Sequence, residues 1–80
     1  MTYTQRFNES IASNGFDFYS SHTVRYIEAD DQTRKESKAH WLKCHAENLA
    51  SGREDMIIFT SKILAAISLA EAILEEQKAS

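Results

Sequence analysis

Proline is absent from this 80-residue chain, and glycine occurs only twice, at Gly15 and Gly52. Punctuation is therefore sparse. The two glycines divide the chain into segments of about 14, 36 and 28 residues, each short enough to be one helix or a helix plus a connection. Cysteine occurs once, as Cys44, which excludes an internal disulfide and with it the usual staples of small secreted domains. Residues 1–10 lack the apolar centre of an export signal, and the most apolar stretch, 56–74, is interrupted by Lys62, Glu71 and several hydroxyls. A soluble protein in a reducing, cytoplasmic setting is expected, with no membrane attachment.

A surplus of positive charge is also missing. Twelve acidic residues against nine basic ones leave a net charge of −3, which disfavours a surface that gathers phosphates non-specifically. Arg34, Lys35 and Lys38 do cluster, but they follow Glu28, Asp30 and Asp31 at spacings that allow pairing along a helix. Nucleic acid is thus not an expected partner.

Catalytic constellations are scarce too. Glu28, Asp30 and Asp31 sit among cations and read as caps and ion pairs, and Ser20, Ser21 and His22 are neighbours in sequence, which does not define a triad. Neither glycine belongs to a phosphate-binding loop. The segment HWLKCH, residues 40–45, concentrates two histidines, the cysteine and the only tryptophan. At about 100° per residue Trp41, Leu42, His45 and Leu49 share one arc of a helix, whereas His40 and Cys44 lie toward the opposite flank. Two ligands do not make a zinc site. No catalytic, cofactor-binding or metal-binding residue is assigned, and no enzyme or cofactor is expected.

What the sequence does have is helical periodicity. Tyr3, Phe7 and Ile11 recur every four residues, and Asn14-Gly15 supplies a left-handed stop. Residues 16–28 are rich in aromatic and β-branched side chains and fit two templates: a loop that turns into helix near Ser20 or Ser21, or a short strand. From Asp30 or Asp31 onward the helix signal strengthens, and Gly52 follows the last periodic leucine. The final segment predicts a helix over about 53–77, with Ser51 as a cap and Glu54 and Asp55 at its positive end. The expected fold is all-α, one domain over 1–80: a small bundle of about three helices, the last two forming an antiparallel hairpin, with dimerisation of the chain as a further expectation. The alternative is an α+β fold with a short strand or hairpin in 16–28.

The last helix is apolar over more than half its girth. Met56, Phe59, Ile63, Ile67, Ala70 and Leu74 form one stripe, and Ile58, Ala65, Ala66, Leu69, Ala72 and Ile73 a second beside it, leaving Thr60, Ser61, Ser68, Glu71 and Glu75 on the remainder, itself interrupted by Ile57 and Leu64. An arc of a little over 100° suffices for a surface helix, so part of the second stripe is expected to stay open in a monomer. Trp41, His45, Ile58, Phe59, Leu69 and Ile73 are accordingly the expected protein-interface residues. At an interface His45 would make association weaken on acidification. The expected function is a non-catalytic helical interaction module that binds and inhibits or adapts a protein partner, in the manner of phage or plasmid accessory proteins, with a homodimer as its own state. A small DNA-binding regulator reading through Arg34 to Lys43, and an acidic nucleic-acid mimic, are the alternatives.

Overall fold

Helix ends in this chain are closed by side chains with a clear chemical role. The computed structural model describes residues 2–79. It has four helices, α1 (Tyr3–Asn14), α2 (Phe18–Glu28), α3 (Asp31–Ser51) and α4 (Glu54–Ala79), and no strand among the described residues. Thr2 caps α1 in a reciprocal box: its hydroxyl accepts from the Gln5 N–H at 3.1 Å while the Gln5 side-chain oxygen accepts from the Thr2 N–H at 2.9 Å. Gly15, at φ 86°, ends the helix by donating to the Ile11 carbonyl. Gly52 takes the left-handed conformation after α3 and donates back to Asn48 and Leu49.

The count of about three helices becomes four: the strand alternative for 16–28 does not hold, and the turn into helix comes at Phe18, earlier than the expected Ser20 or Ser21, giving a separate helix that ends at Glu28. Asp17 nucleates α2 by accepting from the Ser20 N–H at 2.8 Å and the Ser20 hydroxyl at 2.9 Å. Asp30 does the same for α3 through the Thr33 N–H. Between them the backbone swings to an extended conformation at Ala29, ψ 160°, so the two helices meet at an elbow. Arg34 stabilises that elbow from α3. Its Nε donates to the Tyr26 carbonyl at 2.9 Å and its Nη2 to the Ile27 carbonyl at 2.7 Å, which satisfies groups that the end of α2 leaves unpaired.

Helix α4 is the spine on which the others lie. α2 and α3 make the extensive contacts with it and α1 a lesser one. The core is Tyr26, Ile63, Ile67 and Ala70, joined by partly buried Tyr19, Ile27, Trp41, Phe59 and Leu74. α3 and α4 form the expected antiparallel hairpin: Asn48 donates to the Met56 carbonyl, His45 meets Thr60, and Lys38 pairs with Glu71 at 2.9 Å. The whole is a slab of 41 × 31 × 17 Å, thin enough that α4 cannot be enclosed on all sides.

α1 has no buried residue. It rests on partly buried Phe7 and Ile11 and is tied by Glu76 of α4, whose carboxylate accepts from the Tyr3 and Thr4 N–H groups and the Thr4 hydroxyl. A carboxylate at the positive end of a helix contributes about 1 kcal/mol. Glu76→Ala is therefore expected to lower hydrogen-exchange protection across α1 about five- to tenfold while leaving α2 to α4 unchanged. Equal protection in both proteins would show that α1 is held by its apolar contacts alone.

Candidate functional site

Once helical, the HWLKCH segment separates into two unrelated halves. His40 Nε2 and Cys44 Sγ approach to 3.7 Å on the outer flank of α3. His45 instead faces α4, with Nδ1 2.7 Å from the Thr60 hydroxyl. That hydroxyl is 3.0 Å from the Met56 carbonyl and donates to it, so its oxygen accepts from His45 Nδ1–H and from Asn48 at 3.4 Å. His45 is thus a packed seam residue inside the protomer. Among the described residues no group of three or more histidine, cysteine or acidic side chains is placed to hold a metal ion.

Trp41 sits at the centre of an aromatic cluster rather than on open surface. Its ring meets Phe59 edge-on at 6.1 Å and His22 at 5.6 Å, with His40 against it at 5.0 Å. Phe18 stacks on Phe59 at 6.0 Å and touches His22 at 4.7 Å. Such ring pairs add about 0.5 to 1.5 kcal/mol each beyond their buried area. They join α2, α3 and α4 at one place, and Phe18 remains half exposed at its edge.

His22 gives this cluster a pH dependence. Burial, and then the Arg25 charge, hold its imidazole below the ordinary value of 6.5. A histidine whose folded pKa is depressed stabilises above the unfolded pKa, and that contribution is lost as pH falls through the folded one. Asp17 and Asp30 are also depressed, by hydrogen bonds from Ser20 and from Thr33 respectively, so the cap contributions are lost only as pH falls below 3.8. Acid titration followed by circular dichroism and thermal melting is expected to show two losses, a first small one below pH 6.5 and a second below 3.8. His22→Gln should remove the first alone; a single transition in both proteins would refute the assignment.

The surface left open belongs to α4 and the adjoining flank of α3. Ile58 is 56% exposed, and Ser61, Ala65 and Ser68 are exposed above it at spacings of three and four, with Ala72 partly covered. Because Lys38 and His45 meet Glu71 and Thr60 in the seam, the next positions outward on the same edge are Leu42 and Leu49 of α3 and Ile57 and Leu64 of α4. Leu42 is 49% and Leu49 56% exposed, and Ile57 and Leu64 are partly buried. Together they form one apolar face centred on small side chains.

The expected interface residues divide across this geometry. Ile58 lies on the open face and Leu69 is partly covered, lining a cavity with Phe7 of α1. Trp41, His45 and Phe59 are partly buried between helices. Ile73, at 2% exposure, is part of the protomer's interior, and Ala66 is likewise covered, its carbonyl accepting from the Thr23 hydroxyl of α2. The expected polar remainder of α4 also differs: Thr60 is buried and Glu71 is drawn into the seam by Lys38. Leu42 and Leu49, not among those expected residues, are the large apolar side chains that α3 leaves exposed. Their seven-residue spacing, two turns on one flank beside Trp41 and His45, is the signal that identifies them.

The chain exposes 5495 Å², about a tenth more than the roughly 4,900 Å² of a compact monomer of its 9.1 kDa, as befits a thin slab. α4 is also long and apolar enough, by length and composition alone, to cross a bilayer, with 33% of its most apolar window buried. Compared with known protein families, curated proteins and solved structures, the chain matches none of them significantly.

Proposed function

We propose that this chain is a small, soluble, non-catalytic interaction module that works through the open face of α3 and α4, pairing with a second copy of itself and acting on another protein as an inhibitor or adaptor of the phage or plasmid accessory kind. The single observation that carries this reading is the exposed apolar face built from Leu42, Leu49, Ile58 and Ala65. The small residues in its middle permit another helix to approach closely, and a face that is the same on both copies suits a two-fold pair. A cytoplasmic setting is part of the same proposal.

The nucleic-acid alternatives have less behind them. Of the cations in the segment from Arg34 to Lys43, Arg34 is committed to the elbow carbonyls and Asp31, and Lys38 to Glu71. Among the acids that would imitate phosphates, Asp30 caps α3, Glu71 pairs with Lys38 and Glu76 caps α1.

Light scattering of the purified chain tests the reading. The expected mass is twice the 9.1 kDa of one chain at micromolar concentration, unaltered by salt because the face is apolar. A monomer at all concentrations that retains no protein in a pull-down would overturn it. Flotation with lipid vesicles, in place of a soluble dimer, would assign the same face to a bilayer.

A further inference from the structure

Most cations of this chain have a partner. Arg34 pairs with Asp31, Lys38 with Glu71 and Lys78 with Glu75, while Arg6 and Lys62 lie over tyrosine rings. Arg25 has no acidic partner, and it borders a cavity of about 240 Å³ in the α2–α3 elbow whose wall contains no carboxylate. Lys35, also unpaired, borders a cavity that includes Asp31, Glu71 and Glu75 and so is neutralised by its surroundings.

The elbow cavity is floored by Ile67 and Tyr26. Its walls are His22, Arg25 and Ala29 on one side and Thr33, Arg34 and Ser37 on the other. Among the described residues, the ring nitrogens of His22, the guanidinium of Arg25 and the hydroxyl of Ser37 make no hydrogen bond within the protein. Arg34 also borders the space, but its donors hold the elbow carbonyls and Asp31 offsets its charge. In a protein of net charge −3, Arg25, a histidine and a free hydroxyl thus converge on one concave space whose wall carries no carboxylate.

We propose that the α2–α3 elbow binds a small tetrahedral oxyanion, a phosphoryl group, with Arg25 and the imidazolium of His22 as charged donors and Ser37 as a hydroxyl donor. Arg25 and His22 are three residues apart on α2, hence one turn from each other, and Ser37 reaches the same space from α3. The volume lies below the roughly 300 to 1,000 Å³ of sites for drug-sized ligands, which suits a free anion or a small phosphate ester. The apolar floor and the Phe18 and Trp41 rings around His22 lower the local dielectric and strengthen charge-assisted bonds. The site is independent of the α3–α4 face and does not rest on the interaction reading.

Binding is coupled to the His22 proton. The charged groups facing His22 are Arg25 on its own helix and Arg34 on α3; α4 offers only the uncharged Ile67, and His40 meets the far side of the Trp41 ring. Burial and the Arg25 charge oppose protonation of His22, and a bound dianion favours it. Affinity should therefore rise as pH falls. Sulfate is the first probe, since it remains a dianion between about pH 5.5 and 8, so any pH dependence belongs to the protein.

In a nuclear magnetic resonance titration of the full chain, sulfate is expected to shift the His22 ring and Ser37 amide signals, with tighter binding at the acidic end. Arg25→Gln should weaken binding about tenfold at every pH, and His22→Gln should leave weak binding that no longer varies with pH. Inorganic phosphate and phosphoserine then separate the sources: equal affinities assign the free phosphoryl group, and tighter phosphoserine assigns an ester. Unshifted His22 signals, an unchanged affinity in Arg25→Gln, or an affinity flat across the pH range would each overturn the site. Arg25 is exposed and pairs with nothing, so its substitution leaves the fold intact for the comparison.

Discussion

Replacing Ile63 by alanine is expected to remove about 3 to 4 kcal/mol of stability, close to half of what an 80-residue domain has. Ile63 is 0% exposed and packs with Tyr26, Ile67 and Ala70 where α2 and α3 both rest on α4. Truncation there costs the transfer of three methyl or methylene groups and leaves a hole that three separate helices would have to close together. The melting temperature should fall by about 15 to 25 °C in a domain of this size. Ile58→Ala serves as the internal comparison, because the same atoms are deleted from the same helix at a position that is 56% exposed. Its effect on the protomer should stay within about 0.5 kcal/mol. Similar losses for the two variants would mean that α4 is rotated from the orientation described above.

That contrast bears on what the sequence could reveal. The ends of α1 and α3 at Gly15 and Gly52, the start of α3 at Asp30 and the existence of α4 from its unbroken apolar run were readable from local causes, but Ser51, expected to cap α4, is the last residue of α3, its hydroxyl donating to the Glu47 and Asn48 carbonyls. The start of α2 was obscured because Phe18, Tyr19, Thr23, Val24, Tyr26 and Ile27 favour strands by composition and so keep a strand open as an alternative. The cap was nonetheless visible as Asp17 with Ser20 three residues on, repeated by Asp30 with Thr33 at the start of α3. The break at Ala29 depends on Arg34 reaching back seven and eight residues to two carbonyls, which no local pattern specifies.

The orientation of α4 was less readable for a related reason. A helix apolar on two sides does not declare which side is inward, and periodicity gave no reason to bury Thr60 or to set Glu71 against α3. Tertiary partners decide the matter: His45 and Asn48 satisfy Thr60, and Lys38 satisfies Glu71, so these polar groups can enter the seam while Ile58 and Ala65 stay outside. The excess of apolar surface was legible from the sequence. Its location was not, since it depends on which stripe α2 happens to cover.

Ala65→Glu is the substitution with the largest effect expected on association. Ala65 is exposed midway along the open strip, between Ile58 and Ala72, so in a two-fold pair the new carboxylate faces the surface that carries its own copy. Each charge would lose water without gaining a partner, a cost of about 3 kcal/mol or more, which weakens pairing at least about a hundredfold. The protomer should hardly notice, because an exposed helical alanine gives up only a few tenths of a kcal/mol of propensity to glutamate. Ala12→Glu on exposed α1 controls for composition and net charge, being the same change on a different helix away from the strip. Light scattering should therefore report a monomer for Ala65→Glu and a dimer for Ala12→Glu, with matching monomer stability in both. Ile73→Glu makes the complementary point: buried at 2% exposure, it should melt the protomer outright, so loss of the dimer there says nothing about an interface. If Ala65→Glu keeps the wild-type mass, the open face of α3 and α4 is not where two chains meet.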